Sequence, residues 1–249
     1  MLSKSQISLL KSLQHKKFRN EHGLFLVEGH KSLAEFANSA YSIVTIYHTN
    51  AIEPKLLKLS GKINFSEISL NDLEKISSLK SPQDIIALVK IPDWPVLNAS
   101  VLKNKFAIAL DGIQDPGNMG TIIRTADWFG IKHIICSADT VDVYNPKVVQ
   151  ATMGSLSHIN IYYVNLPNFL NNIKLPLFGA LLDGSNIYKT NFGTEGLVIM
   201  GNEGNGLRPE VIELVQHAVT IPRSGHAESL NVGIATAIFC SEINRNSFK

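Results

Sequence analysis

Residues 106–130 read FAIALDGIQDPGNMGTIIRTADWFG, and the order of residue types in this stretch decides the architecture of the chain. Phe106 to Leu110 is an unbroken apolar run, the length and composition of a strand buried on both faces. Asp111 to Gly117 contains two glycines and a proline, which punctuate a turn. Asn118 is placed to cap a helix, because its side-chain oxygen can accept from N–H groups of the first turn. Ile122, Ala126 and Phe129 then recur at i, i+4 and i+7, which predicts one core-facing stripe on a helix from Met119 to Phe129, closed by Gly130. Buried strand, tight turn and amphipathic helix together make an α/β unit with a parallel sheet.

The same alternation extends both ways. Downstream, strands are expected at His133–Ser137, Asn160–Val164, Leu177–Leu182, Leu197–Met200 and Ala218–Ile221, with helices at Pro146–Leu156, Glu210–Gln216 and Leu230–Ile243. Upstream, Leu24–Val27, Ser42–His48 and Asp84–Lys90 read as strands, and Lys31–Asn38, Pro54–Leu59 and Leu70–Leu79 as helices. Ile91-Pro92-Asp93-Trp94-Pro95 has two prolines in five residues and reads as a linker. Two α/β units follow, 1–95 and 104–249, in line with a chain of 249 residues at about 150 per domain. Alternation of this kind implies a mostly parallel sheet covered on both faces.

Composition narrows the function classes. With 45% hydrophobic and 18% charged residues the chain is an ordinary globular one, not a disordered one. No window approaches about 18 uncharged apolar residues, so no membrane partner is expected. The net charge, 23 − 21 = +2, neither favours nor disfavours a nucleic acid. Its distribution says more: residues 1–20 carry Lys4, Lys11, Lys16, Lys17 and Arg19 and no acid. These form either a phosphate-contacting arm or a solvated basic helix. Cys136 and Cys240 lie far apart without a C-x-x-C, which fits a reducing, cytoplasmic compartment. The eight histidines show neither H-E-x-x-H nor Cys/His ligand spacing, so no metal is expected. No G-x-S-x-G elbow is present, and both cysteines read as core residues.

Three turns in the second unit carry the candidate chemistry. In the first, Arg124 lies off the apolar stripe, one turn above Gly120, which would leave open space beside the guanidinium. An arginine over an open helix N-terminus suits a phosphate, while the plain alternative is a surface pair with Asp127 at i+3. In the second, the buried strand ending at Met200 runs into Gly201-Asn202-Glu203-Gly204-Asn205-Gly206-Leu207. Its glycines permit close backbone approach to a ligand or simply make a tight loop. The spacing is not the dinucleotide G-x-G-x-x-G, so a nicotinamide enzyme fits poorly. In the third, a strand ends at Ile221-Pro222, a polar loop Arg223-Ser224-Gly225-His226 follows, and Ser229 is placed to cap the small-residue helix after it.

In this order and spacing, the three segments resemble the motifs of the SpoU-type RNA methyltransferases of the SPOUT superfamily, the TrmH family. The matches are Asn118-x-Gly120-x-Ile122-x-Arg124-Thr125-Ala126, Gly201-Asn202-Glu203-Gly204-x-Gly206-Leu207, and Ile221-Pro222 followed by Ser229-Leu230-Asn231-Val232. The likeness is close over 104–249. Over 1–95 it is looser, carried by Phe18-Arg19 to Gly23-Leu24-Phe25-Leu26-Val27-Glu28-Gly29, and points to an RNA substrate-binding domain akin to ribosomal proteins.

The resemblance implies a trefoil-knotted C-terminal domain, which connection rules alone would reject. It also implies a homodimer with active sites at the subunit interface. The implied cofactor is S-adenosyl-L-methionine, held by backbone groups at Met200, Gly201, Ile221 and Leu230. The implied reaction is methyl transfer to a ribose 2′-hydroxyl of RNA, ribosomal before transfer RNA. Arg124 matches the family's catalytic arginine, which is proposed to act as base, and Asn118, Glu203, Ser229 and Asn231 match the polar residues that orient it and the cofactor loop. A guanidinium keeps its proton in proteins, which favours phosphate positioning and charge stabilisation for Arg124. Arg223 departs from the apolar loop of many members and is a candidate RNA contact, as are Lys16, Lys17 and Arg19. A non-catalytic RNA-binding relative of the same fold is the rival reading.

Overall fold

The structure, a computed structural model, describes residues 2–49, 63–93, 97 and 99–245, so the helix expected at Pro54–Leu59 lies outside the described residues. Two helices open the chain, α1 (Lys4–Ser12) and α2 (Lys16–His22). Ser3 starts α1 with a capping box: its hydroxyl accepts from Gln6 N–H at 3.2 Å, while Gln6 Oε1 accepts from Ser3 N–H at 2.9 Å. Four strands follow, β1 (Leu24–Glu28), β2 (Ile43–His48), β3 (Asn64–Glu67) and β4 (Ile85–Lys90), with helices α3 (His30–Ala37) and α4 (Leu70–Ile76). They form one sheet in the order β1–β4–β2–β3. β4 runs antiparallel to both neighbours and only β2–β3 is parallel. The parallel reading therefore does not hold for this sheet, whose apolar runs cannot by themselves reveal strand direction. Leu10 and Leu13 pack with Leu26, Leu73, Ile76, Ile86 and Leu88 in its core.

The quoted stretch builds the second sheet. Its strand is β5 (Phe106–Asp111) and its helix α5 (Pro116–Trp128). Then come β6 (His133–Ser137), α6 (Pro146–Thr152), β7 (Asn160–Val164), α7 (Leu166–Asn172), β8 (Leu177–Asn186), β9 (Gly196–Gly201), α8 (Pro209–Ile212), β10 (His217–Thr220) and α9 (Val232–Asn244). The six strands lie in the order β10–β8–β9–β5–β6–β7, and every pairing is parallel. Ala107 to Asp111, all of β6 and Gly196 to Met200 are buried, as apolar runs of strand length in a parallel sheet require. Ala107, Ala109, Ile135, Leu197 and Ile199 share one core with Leu166, Leu170 and Val211.

Two compact units result: Met1–Asp93 with Asp142–Ser157, and Trp94–Val141 with His158–Lys249. The segment carrying α6, which the sequence boundary assigned to 104–249, thus groups with the first unit. The reason is aromatic: the Tyr144 ring lies tilted against Phe25 with centroids 4.6 Å apart, and Phe25 also meets Phe36 and Tyr41. Cys136 and Cys240 are unbridged and buried, and burial pushes both thiols up, Cys240 to about 12, so both stay protonated. No described helix is long and apolar enough to cross a membrane.

Candidate active site

The carboxyl ends of β5 and β9 and the loop after β10 converge on the start of α5. Asp115, not Asn118, caps α5, accepting Asn118 N–H on Oδ1 at 2.8 Å, and Pro116 fills the next position without wasting a donor. Asn118 is thereby moved one turn inside the helix, and its amide is left for other partners. Its Nδ2 donates to Glu203 Oε1, and its Oδ1 accepts from Asn231 Nδ2 at 2.8 Å. One residue from each of the three turns joins this chain of hydrogen bonds.

The amide orientations follow from donor and acceptor counting. Asn231 caps α9, with Oδ1 accepting from Gly233 N–H at 3.0 Å and Ile234 N–H at 3.3 Å. Its Nδ2 must therefore face Asn118, which turns its own oxygen to Asn231 and its nitrogen to the acceptor-only carboxylate of Glu203. Ser229, expected to cap this helix, lies exposed in the loop two residues earlier.

The glycine turn after β9 is closed on itself. Asn202 and Gly206 exchange backbone hydrogen bonds of 3.0 and 2.9 Å, and Asn202 Oδ1 accepts from Gly204 N–H at 2.9 Å. A Cβ on Gly201 would stand 2.3 Å from the Gly206 carbonyl carbon and 2.5 Å from Leu207 N, so only glycine fits there. Met200 is buried, Gly201 and Ile221 are half-buried, and Pro222 through Asn231 are exposed, with Leu230 at 48%. Among the described residues, 222–230 make no backbone–backbone hydrogen bond outside the regular elements, so apart from the Ala227 carbonyl and the proline nitrogen their N–H and C=O groups remain available to a ligand. Arg223 folds back to donate from Nη1 to the Ala227 carbonyl at 2.9 Å.

Arg124 is exposed on α5, and its side chain makes no hydrogen bond or ion pair among the described residues. The surface pair with Asp127 does not form, because Asp127 takes His158 Nδ1 at 3.1 Å and Lys132 Nζ at 3.8 Å. Gly120 is buried rather than opening space beside the guanidinium. Gly117, Thr121, Arg124 and Trp128 form the exposed stripe of this helix, and Trp128 is 85% exposed. Opposite Thr121, a Cβ on Gly233 would stand 2.8 Å from Thr121 Cγ2, so α5 and α9 cross in close contact.

In the first unit, Lys16 and Lys17 are exposed on α2. Arg19 corrects the sequence reading: it is 2% exposed, and its guanidinium is committed to Asp142 Oδ2 at 3.0 and 2.5 Å and to the Leu13 carbonyl at 2.8 Å. With its side chain buried and three of its five N–H donors engaged, Arg19 is not placed to meet an RNA phosphate. Sequence reading also missed the roles of Asp111, Arg208 and Asn202: Arg208 bonds Asp111 and Asn202 bonds the Gly112 carbonyl, each across ninety or more residues of chain, and the buried acid ending an apolar strand was the available signal.

Residues 105–241 match the model of the SpoU rRNA Methylase family. The chain belongs to that family. Residues 4–87 match the MRM3-like substrate binding domain. A 23S rRNA (guanosine(2553)-2′-O)-methyltransferase of Bacillus subtilis is 30% identical over 233 residues, covering 92% of this chain and 91% of its own. Among solved structures, a TrmH-family protein of Porphyromonas gingivalis is 37% identical with a TM-score of 0.86, covering 99% of each chain. An AdoMet-bound rRNA methyltransferase of Sinorhizobium meliloti is 28% identical with a TM-score of 0.88, covering 100% of this chain and 97% of that one. In this SpoU-family chain the motif residues Asn118, Glu203 and Asn231 are those that the hydrogen-bond chain links.

Proposed function

We propose that this chain methylates a ribose 2′-hydroxyl of RNA with S-adenosylmethionine as donor, and that its substrate is ribosomal RNA. The observation that carries the reading is the Glu203–Asn118–Asn231 chain at the start of the helix that also carries an uncommitted Arg124. The named 23S rRNA relative supports ribosomal over transfer RNA. With such a substrate the enzyme works where ribosomes are assembled, in the cytoplasm.

The residues present fit the cofactor. Nothing stands within 4 Å of where a side chain on Gly206 would be, which leaves the turn's backbone open to a ligand there, and the 222–230 loop has backbone donors and acceptors to spare. Backbone groups at Met200, Gly201, Ile221 and Leu230 would hold it, and Ser229 would border it. Bound S-adenosylmethionine supplies a methyl group activated on a positively charged sulfur. The hydroxyl gives up its proton to water as it is methylated, and the protein's own task is alignment of that hydroxyl and stabilisation of the charge that develops on it. Arg124 holds an RNA phosphate and stabilises that charge as a permanent cation. Asn118 and Asn231 tie the turn and the loop to the start of the helix that carries Arg124. Lys16, Lys17 and Arg223, all exposed, add phosphate contacts.

The reading includes a homodimer. Trp128 shares its exposed stripe with Arg124, and Ile234 at 54% and Leu230 at 48% add apolar surface on the crossing helix and its loop. A face of this kind beside the site is suited to a second copy. The family's trefoil knot belongs to the same reading, and the meeting of the 201–206 turn and the 221–231 loop at Asn118 supports it.

The test mixes the protein with methyl-labelled S-adenosylmethionine and RNA from cells lacking it. Label in the ribosomal fraction is expected. Label confined to transfer RNA would move the substrate, and no transfer to naked or ribosome-assembled RNA would leave only a binding role.

A further inference from the structure

Both ends of the glycine turn are tied to two consecutive residues at the end of β5. At the entry, Asn202 Nδ2 donates to the Gly112 carbonyl at 2.8 Å. At the exit, the Asp111 carboxylate takes three contacts from Arg208. The Arg208 backbone N–H donates to Oδ2 at 2.8 Å, Nε donates to Oδ1 at 2.7 Å, and Nη2 reaches Oδ1 at 2.5 Å. Asp111 is also the cross-strand partner of Gly201, where the turn begins. Between the two ties lie only residues 203–207, and Leu207 is buried.

The pair is placed to hold rather than to react. The Asp111 side chain is fully buried and both its oxygens are engaged, so it touches neither cofactor nor RNA. The Arg208 guanidinium also faces Asp139 Oδ1 at 3.7 Å and Glu210 Oε1 at 3.9 Å. One cation among three carboxylates offers an RNA phosphate no net positive field. A basic residue bordering an RNA site would ordinarily be read as a phosphate contact, and here its surroundings argue against that.

We infer that the Asp111–Arg208 pair is a latch that sets the shape of the 201–206 turn, making both positioning residues for the cofactor site and, through Glu203, for Asn118. The inference rests on reading that turn as part of the cofactor site. Loss of the guanidinium fork leaves the buried Asp111 carboxylate poorly answered, and neutralising Asp111 weakens the grip on Arg208, so the turn should loosen where it is pinned.

Two variants of the full-length protein test this. Arg208→Lys keeps the charge and loses the planar fork, and Asp111→Asn keeps the shape and loses the charge. The first readout is amide hydrogen exchange of residues 202–207 in cofactor-free protein, expected to quicken about tenfold or more in both. The second is the Kd for S-adenosylhomocysteine by calorimetry, expected to rise about tenfold, with KM for S-adenosylmethionine rising in step, kcat falling less, and RNA affinity unchanged. Asp139→Asn serves as the control that moves neither readout. If Asp111→Asn fails to fold, Arg208→Lys decides alone. Unchanged exchange and Kd in folded Arg208→Lys overturn the latch, as does lost RNA binding with cofactor affinity intact. Should the wild-type protein bind no S-adenosylhomocysteine, the cofactor reading falls, and the exchange measurement decides the latch by itself.

Discussion

Asn231 does two jobs with one amide, and the two can be separated. Its oxygen caps α9 and its nitrogen donates to Asn118. Asn231→Asp keeps the capping oxygen and sets a carboxylate against Asn118 Oδ1. Its thermal midpoint should stay near wild type while methyl transfer falls roughly tenfold or more, about 1.4 kcal/mol. Asn231→Ala loses the cap as well and should cost about 1 kcal/mol of stability. Equal activity in Asn231→Asp and wild type would remove the hydrogen-bond chain from catalysis. Arg124→Ala is expected to lower kcat by about 10²–10³, the usual cost of a lost charge-stabilising donor, with S-adenosylhomocysteine affinity unchanged by calorimetry. At this scale the sequence was informative about residue type and silent about partner. Asn118, Glu203 and Asn231 were all candidates, but Asp115 sits three residues before Asn118 and an equally good cap, so local sequence could not say which amide was left for the site.

Elements follow the apolar pattern where burial is two-sided and depart from it where side chains make the ends. β5, β6 and β9 fall within a residue or so of their apolar runs because those runs are buried on both faces. α7 escaped notice because Asn165, Asn168, Asn171 and Asn172 read as turn residues, although Asn165 caps the helix by accepting from Asn168 N–H at 3.1 Å. The basic opening shows the limit most clearly. Arg19 looks like its neighbours Lys16 and Lys17, but its partner Asp142 is 123 residues away in sequence. The consequence is a split prediction. Arg19→Ala should destabilise the protein by about 3–5 kcal/mol in denaturant titration and leave the salt dependence of RNA binding unchanged. Lys16→Ala with Lys17→Ala should leave stability within about 0.5 kcal/mol and flatten that dependence by roughly 0.7 per lost phosphate contact. An unchanged slope in the lysine variant would take α2 out of the RNA interface.

For the whole molecule, the pattern of alternating elements was enough to give an α/β chain with a parallel second sheet. It could not give the antiparallel pairings of β4 or the grouping of 142–157 with the first unit, because both rest on contacts between distant segments. The exposed apolar stripe is likewise a property of the assembled fold, since Trp128 and Ile234 belong to helices more than a hundred residues apart. Trp128→Asp should convert a dimer to a folded monomer in sedimentation and abolish methyl transfer; a monomeric wild type would contradict the shared site. The most direct measurement is the chemical position of the transferred methyl. RNA labelled by the wild-type protein and by Arg124→Ala is digested to nucleosides and resolved. The expected result is label in a 2′-O-methylated nucleoside with wild type and almost none with Arg124→Ala. Label on a base, or equal label from both proteins, would contradict ribose methylation at a site built around Arg124.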